Sequence, residues 1–479
     1  MRKAKIIAMC FLVCSLALGI MMPPVCAGEE FKMTVLDVRE HKGLLDDPRP
    51  YLKGLYKKIL PPEIYAKLTY DVEAMKKLWA EIVGFKAPDV VGKIAPEIKP
   101  GTYSYRDKEK YPGLKELMIP DSYNRRFKPG GPPHAGNFPE IKVIPTRQYY
   151  WALPVGEATK KYEGHTKLDD QGIMRDETYM AGYPFPRPSG KFKANQIIYN
   201  WLRRYLNWES NYLSLDSICL TGDLRKDNDL MMAGWNVRFQ GRVLIEPYGW
   251  LDERAQKLNE YRGFAYKYLG PRDMFGNILA SIQYSEPDKF DQMMLYVNVL
   301  RRMRVLSATD IQDVVGGADC LYCDNELFSQ KLSKTVFPYE CEVIAEREYL
   351  IPFATLDGSG YLSSKGYEYH NLEFERRPMY VVKMAQLDKN FVYSYRILYI
   401  DKETFMLYYI ENYDQKGRLY RNSEAMAMFL PKMGMFNIHD VLYRDHIDLH
   451  NTWFRVFITP APWVGRKQVS LGSLFRKGK

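Results

Sequence analysis

Residues 393–429, YSYRILYIDKETFMLYYIENYDQKGRLYRNSEAMAMF, read as three strands joined by two turns, and this stretch decides the fold class. The runs 393–400, 405–413 and 418–429 are rich in Tyr, Ile, Leu, Phe and Met, which fit a pleated, half-buried surface. Asp401-Lys402-Glu403-Thr404 makes one tight connection and Asp414-Gln415-Lys416-Gly417 the other. In the second, Asp414 can bond its own backbone and Gly417 can take the positive φ that closes a hairpin with a bulge. Neither turn suggests chemistry. Tyr395, Ile397 and Tyr399 point one way while Leu398 and Ile400 point the other, so both faces of the sheet want cover. That cover is either ordinary core or the wall of a cavity for an apolar ligand, and the aromatic, Met-rich composition suits both.

Working outward, Trp235, Val237 and Phe239 alternate with Asn236, Arg238 and Gln240 as a half-buried strand, and 243–245 continues past Gly241. Further strands are expected at 264–268, 278–284, 293–306, 343–353 and 379–385. Together these predict a mainly β (α+β) fold: one large curved antiparallel sheet, or incompletely closed β-barrel, of roughly nine to eleven strands wrapped around helices. Pro61-Pro62 opens one helix, with Ile64, Leu68, Val72, Met75, Trp79 and Ile82 at helical spacing and Gly84 as its stop. A second helix is expected at 193–207, with Ala194, Ile198, Trp201, Tyr205 and Trp208 along one side and Arg203-Arg204 facing away. Between them, 96–154 is dense in Pro, Tyr and Gly and reads as an extended strap over the body. Residues 182–190 form a rigid Pro-rich corner. Residues 310–333 read as a long irregular insertion.

Arg2, Lys3 and Lys5, the apolar run 6–20 and Val25-Cys26-Ala27 have the layout of a secretory signal peptide cleaved after Ala27. Cys26 follows Pro23, Pro24 and Val25, which disfavours lipidation. The expected organisation is a signal at 1–27, a helical and strap region at 28–175, a half-barrel domain at 176–460 and a basic tail at 461–479, in a periplasmic protein. After the signal there is no apolar run long enough for a transmembrane helix. The net charge of +10 is interspersed, with no long basic tract or nucleic-acid-binding motif, so no nucleic-acid partner is expected. Cys219, Cys320, Cys323 and Cys341 lie beyond the signal and are disulfide candidates in an oxidising compartment. Asp324 stands where a c-type haem site needs His, and a zinc site would need a second close Cys pair.

No G-x-S-x-G elbow, P-loop, H-E-x-x-H or dinucleotide fingerprint occurs. No catalytic residue and no cofactor is therefore expected. His446 and His450 have the i, i+4 spacing of two metal ligands, with His439, Asp440 and Asp445 nearby, but the surroundings read as a polar loop. Arg301, Arg302 and Arg304 end an apolar strand and are either solvated or a holder for an anionic phosphate or carboxylate head group.

The corner GYPFPRPSG at 182–190, NWLRRY at 200–205, LYVNVLRRMRVLS at 295–307, EREYLIPF at 346–353 and the meander from 396 to 423 together resemble the exported Gram-negative family DUF1329, a domain of unknown function. That family is similar to the LolA/LolB type of lipoprotein carrier, a sorting protein of the outer membrane. The resemblance implies an open barrel around helices with an apolar cavity, for which Trp201, Tyr205, Tyr399, Leu407 and Tyr409 are the candidate lining residues. It implies a non-catalytic periplasmic carrier of a lipid or other amphipathic molecule. The alternatives are a structural adaptor of an envelope exporter, partnered by that exporter or an outer-membrane protein, and a hydrolase or metal-dependent enzyme built around the histidines. The Cys-containing insertion departs from the family pattern.

Overall fold

The computed structural model describes residues 44–47, 54–132, 134–306, 309–354 and 360–470. The expected signal peptide and the end of the basic tail lie outside these residues. Aromatic and branched runs pair along most of the described chain. The strap supplies β1 (Gly101–Ser104) and β2 (Glu140–Ile144), followed by β3 (Ser210–Leu220), β4 (Lys226–Arg238) and a small pair, β5 (Gln240–Arg242) with β6 (Gly249–Trp250). Then come β7 (Glu260–Gly270), β8 (Ile278–Tyr284), β9 (Gln292–Val297), β10 (Arg302–Leu306) and β11 (Tyr339–Ala354). A second small pair is β12 (Tyr361–Leu362) with β13 (Tyr369–His370). The series ends with β14 (Leu372–Gln386), β15 (Tyr393–Asp401), β16 (Leu407–Asp414), β17 (Leu419–Leu430), β18 (Met435–Asp445) and β19 (Asn451–Pro460).

Fifteen of these strands make one open sheet in the order β1-β2-β14-β15-β16-β17-β18-β19-β3-β4-β7-β8-β9-β10, with β11 also paired to β14. Every pairing in it is antiparallel except β2 on β14. The large curved sheet expected from the sequence is present, with more strands than the nine to eleven counted there. The opening meander is β15, β16 and β17, and Gly417 takes φ 74° while Asp414 Oδ1 accepts from the Lys416 and Arg418 amides at 2.9 Å. The expected single strand at 293–306 is instead a hairpin, β9 and β10, whose turn places Arg301 at φ 50°.

A twisted sheet this wide curls unless it is flattened, and its inner face has to be filled. Tyr149 does so at the centre: its ring stacks on Phe353 of β11 at 5.4 Å and meets Phe429 of β17 at 4.8 Å and Phe436 of β18 at 5.2 Å. Tyr150 and Trp151 are buried beside it. The strap therefore runs through the core rather than over the body, because its own aromatic rings are what the curled sheet needs inside.

Three helices pack around this core: α1 (Val72–Val83), α2 (Leu153–Lys161) and α3 (Lys193–Leu202). The first expected helix is broken in two, a six-residue helix at Pro62–Lys67 and then α1, which Asp71 caps by accepting from the Ala74 amide at 2.6 Å and Gly84 ends at φ 89°. The second ends at Leu202, five residues before the expected boundary at 207.

Buried charge locks the strap in place. Arg377 on β14 donates to Asp401 at 2.6 Å, to Glu403 at 2.7 Å and to the Arg147 carbonyl at 2.7 Å, and Arg377, Asp401 and Glu403 are fully buried. Glu403 in turn accepts from the amides of Tyr149 at 2.9 Å and Ala87 at 2.8 Å, while its carbonyl takes the Trp79 indole N–H at 2.7 Å. The Trp151 indole donates to the Thr404 carbonyl at 3.1 Å. Burial works against the Arg377 charge, and the three carboxylates of Asp401, Glu403 and Glu375 outweigh it, holding the guanidinium well above its ordinary value.

The irregular insertion docks onto the sheet through Asp324, which accepts from Arg396 of β15 at 2.7 Å and from the Tyr393 hydroxyl at 2.7 Å. The expected disulfides are not formed: Cys219, Cys320, Cys323 and Cys341 are free thiols, and Cys323 Sγ instead meets the Arg396 guanidinium at 3.4 Å. Burial raises all four thiols, Cys219 to about 11 and Cys341 to about 12, so none is a ready thiolate.

Replacing Arg377 by Met leaves Asp401 and Glu403 buried without their cation, and is expected to lower stability by about 3–5 kcal/mol, read as a fall in the urea midpoint by tryptophan fluorescence. Alkylation of residues 28–479 in denaturant without reductant is expected to label Cys219, Cys320, Cys323 and Cys341, as counted by intact mass.

Candidate functional site

The chain turns sharply where α3 ends. Arg203 closes the helix, Arg204 follows, and Asn207 and Trp208 both take left-handed backbone at φ 63° and 62° before β3 begins. Two successive non-glycine residues in this region, one of them Trp, are strained, and such strain gathers at functional sites. Across the turn, Arg238 of β4 and Arg262 of β7 sit in register opposite each other. Four guanidiniums thus converge around one phenol, Tyr261.

Each guanidinium is held by rings and by few acids. Arg203 lies 4.4 Å over the Tyr261 ring and 5.0 Å over Tyr179, and donates to Asp176 Oδ1 at 3.0 Å. Arg204 stacks 4.0 Å over Trp201 and pairs with Glu326, which also accepts from Arg262 at 3.0 Å. Arg238 lies 4.2 Å over Tyr205 and donates to the Arg203 and Arg204 carbonyls. Two carboxylates, Asp176 and Glu326, thus pair with three of the cations, and Arg238 makes no ion pair among the described residues, although the charge of buried Glu209 acts on it. Arg203 Nε and Arg238 Nη1 are buried without a hydrogen-bond partner among the described residues, as is Gln330 Nε2 nearby.

The electrostatics record this surplus of positive charge. Burial pushes the Tyr261 phenol up, but Arg238, Arg203, Arg262 and Arg204 together outweigh burial and bring it down to about 8. Arg204 is held well below its ordinary value by burial and then by repulsion from Arg262. Tyr261 donates to the Leu202 carbonyl at 2.8 Å, which fixes the phenol against the end of α3.

Arg203, Arg204, Tyr261 and Arg262 line an open cleft of about 50 Å³, whose lining also includes the apolar Met174, Leu202, Pro287 and Leu332, the ring of Tyr199 and the ion-paired Asp291 and Lys331. A second arm of about 40 Å³ shares Arg204, Tyr261 and Arg262 and runs past Asn207, Trp208, Arg238 and the acids Glu209 and Glu326. Convergent cations beside an apolar wall can take a phosphate or carboxylate bidentately and cover an attached hydrocarbon.

The residues singled out from the sequence fall elsewhere. Trp201, Tyr205, Tyr399, Leu407 and Tyr409 are at most 5% exposed and are core, not cavity lining. Tyr409 donates to Asp121 at 2.9 Å and Tyr205 to the Gly241 carbonyl at 2.6 Å, so their polar ends are used by the protein itself. Trp201 and Tyr205 do stand directly behind the site, as the platforms for Arg204 and Arg238. Arg301, Arg302 and Arg304 are exposed at the β9–β10 hairpin, away from the cleft. His446 and His450 lie in the turn between β18 and β19, not on a helix; His446 bonds Asn422 Oδ1 at 2.6 Å and Arg125 at 2.7 Å, and His450 faces Asp319 at 3.7 Å. His439 is buried against Asp440 at 2.9 Å. Among the described residues no group of three or more His, Cys, Asp or Glu gathers to hold a metal ion, and no helix is long and apolar enough to cross a membrane.

The sequence pattern turns Arg203 and Arg204 outward on a longer helix, whereas in the structure both are buried just past its end. The available signal was their context: an Arg pair set between Trp201 and Tyr205, where guanidiniums stack on rings rather than reach for water.

Among solved structures, the chain is similar to a DUF1329 family protein from Desulfovibrio piger, at 13% identity and a TM-score of 0.40 over 56% of this chain and 91% of that one. It is also similar to a LolA superfamily protein from Nitrosomonas europaea, at 12% identity and a TM-score of 0.34 over 56% of this chain and 93% of that one. No curated protein matches the chain. The family described as "Protein of unknown function (DUF1329)" matches residues 122–457, most of the chain's length, and the chain belongs to that family.

Proposed function

We propose that this protein binds and carries an amphiphile with an anionic head group, the head held by Arg203, Arg204, Arg238 and Arg262 and the hydrocarbon laid against the apolar wall. The observation that carries the reading is three largely buried guanidiniums, Arg203, Arg204 and Arg262, paired with two carboxylates and lining one cleft together with Met174, Leu202 and Leu332, with Arg238 in the adjoining arm. An apolar ligand alone has no use for that charge, and a small anion alone has no use for that wall. The signal-like N-terminus, with Arg2, Lys3 and Lys5 before the apolar run, supports a periplasmic setting for such a carrier.

Isothermal titration with dodecyl phosphate, dodecanoate and dodecanol tests the reading. The two anions are expected to bind and the alcohol to bind at least about tenfold more weakly, and Arg204→Gln or Arg262→Gln is expected to weaken the anions by roughly ten- to a hundredfold. Equal affinity for all three probes, or for wild type and both variants, would overturn the proposal.

The phenol adds a pH signature. An anion favours neutral Tyr261, since the phenolate competes for the same guanidiniums, so bound anion raises the phenol from its value of about 8. Affinity is then expected to be flat below that pH and to fall as pH rises through it. Tyr261→Phe removes this dependence while keeping the ring under Arg203.

A further inference from the structure

At the other end of β8 from the cleft, two hairpin tips stand side by side. The β7–β8 turn, 271–277, and the β9–β10 turn, 298–301, are joined by hydrogen bonds from Asn298: its amide donates to Asn277 Oδ1 at 2.8 Å and its side chain to the Phe275 carbonyl at 3.1 Å. The turns approach closely enough that a Cβ on Gly276, at φ 83°, would lie 2.7 Å from Asn298 Nδ2. They therefore present one surface rather than two independent loops.

That surface is apolar and cationic together. Phe275 is 53% exposed, Val299 77%, Leu300 52%, Met303 62% and Val305 74%. Around them lie Lys267, Arg272, Arg301, Arg302 and Arg304, none in an ion pair among the described residues, and Asp273 is the one acid within 271–277 and 298–306. β10 is also an edge of the large sheet. Protection of a free edge calls for charge, so Arg302 and Arg304 fit that need but Met303 and Val305 on the other face work against it. Exposed apolar groups of this extent mark a surface that meets something.

We infer that the tips at 271–277 and 298–301, with β10, dock the protein on an anionic bilayer surface, the apolar side chains entering the interface and the arginines meeting lipid phosphates. A second strand pairing along β10 would engage its backbone but would leave Phe275, Val299 and Leu300 in water. A charged bilayer uses the tips, both faces of β10 and the cation surplus at once. The inference stands apart from the cleft, so either can fail alone.

Flotation with phosphatidylcholine vesicles, with and without about one third phosphatidylglycerol, tests it. The protein is expected to float with the anionic vesicles and not with the neutral ones. Val299→Ser with Leu300→Ser is expected to cut partitioning at least about tenfold, and Arg301→Gln with Arg302→Gln and Arg304→Gln by roughly fivefold per arginine. Unchanged dodecyl phosphate binding in the variants, or an unchanged circular dichroism spectrum if that probe does not bind, shows that they are folded. Failure of the wild type to float, or variants that float as it does, would overturn the inference. So would sedimentation showing a dimer that the same substitutions dissociate, since that assigns the edge to a second copy.

Discussion

The fold depends on one buried guanidinium. Arg377 lies among Asp401, Glu403 and Glu375, all without exposure, and Arg147 supplies a second cation to Glu375 at 2.8 Å. Charges taken out of water at this depth hold together only if every lone pair is used, and here the remaining acceptors are spent on the strap and the first helix. The β15–β16 turn that carries Asp401 and Glu403 thereby fixes Tyr149, Trp151 and Trp79 at the concave centre of the sheet. A turn that reads as a plain connection is the point where three distant segments are tied.

That tie sets where a ligand can go. With Tyr149, Trp151 and the insertion's Phe328 packed inside, the half of the sheet formed by β11 and β14–β19 has a filled interior. Trp201 donates to the Phe328 carbonyl at 2.9 Å, so the helix expected to line a cavity is spent on holding the insertion. The arginine-lined cleft lies in the other half, where α3 ends above β4 and β7. One half of the molecule gives a rigid body; the other offers a cleft at one end of β8 and an apolar, cationic tip at the other.

The meander was legible because its signals are local: alternation, Asp414 and Gly417 act within a few residues. β8 was legible over its full length for the same reason. Residues 293–306 misled because the turn within them, Asn298–Arg301, has no Gly or Pro; Arg301 accepts positive φ where a turn residue would usually announce itself. β18 was hidden by burial on both faces, which erases the apolar–polar alternation by which a strand is recognised. β1 and β2 owe their existence to partners far away, since β2 lies parallel on β14 across more than two hundred residues, and no local pattern in a Pro-rich segment reports that. The site was missed through a boundary: extending α3 to 207 turns Arg203 and Arg204 toward solvent, whereas ending it at Leu202 folds both inward.

A surplus of guanidinium charge in a partly dry cleft needs some way to persist, and the structure shows two. Rings replace acids as partners, since Trp201, Tyr205 and Tyr261 each lie under a guanidinium at 4.0–4.4 Å and give attraction without neutralising it. Carboxylates in their place would bind the cations more tightly and leave nothing for a visiting anion. The second is Tyr261 itself, whose phenol, lowered to about 8, supplies a counter-charge as pH rises through that value and gives it up by taking a proton. On the proposed reading, the phenol is neutral below about pH 8 and leaves the guanidiniums to a bound anion, and above that pH the phenolate competes for them.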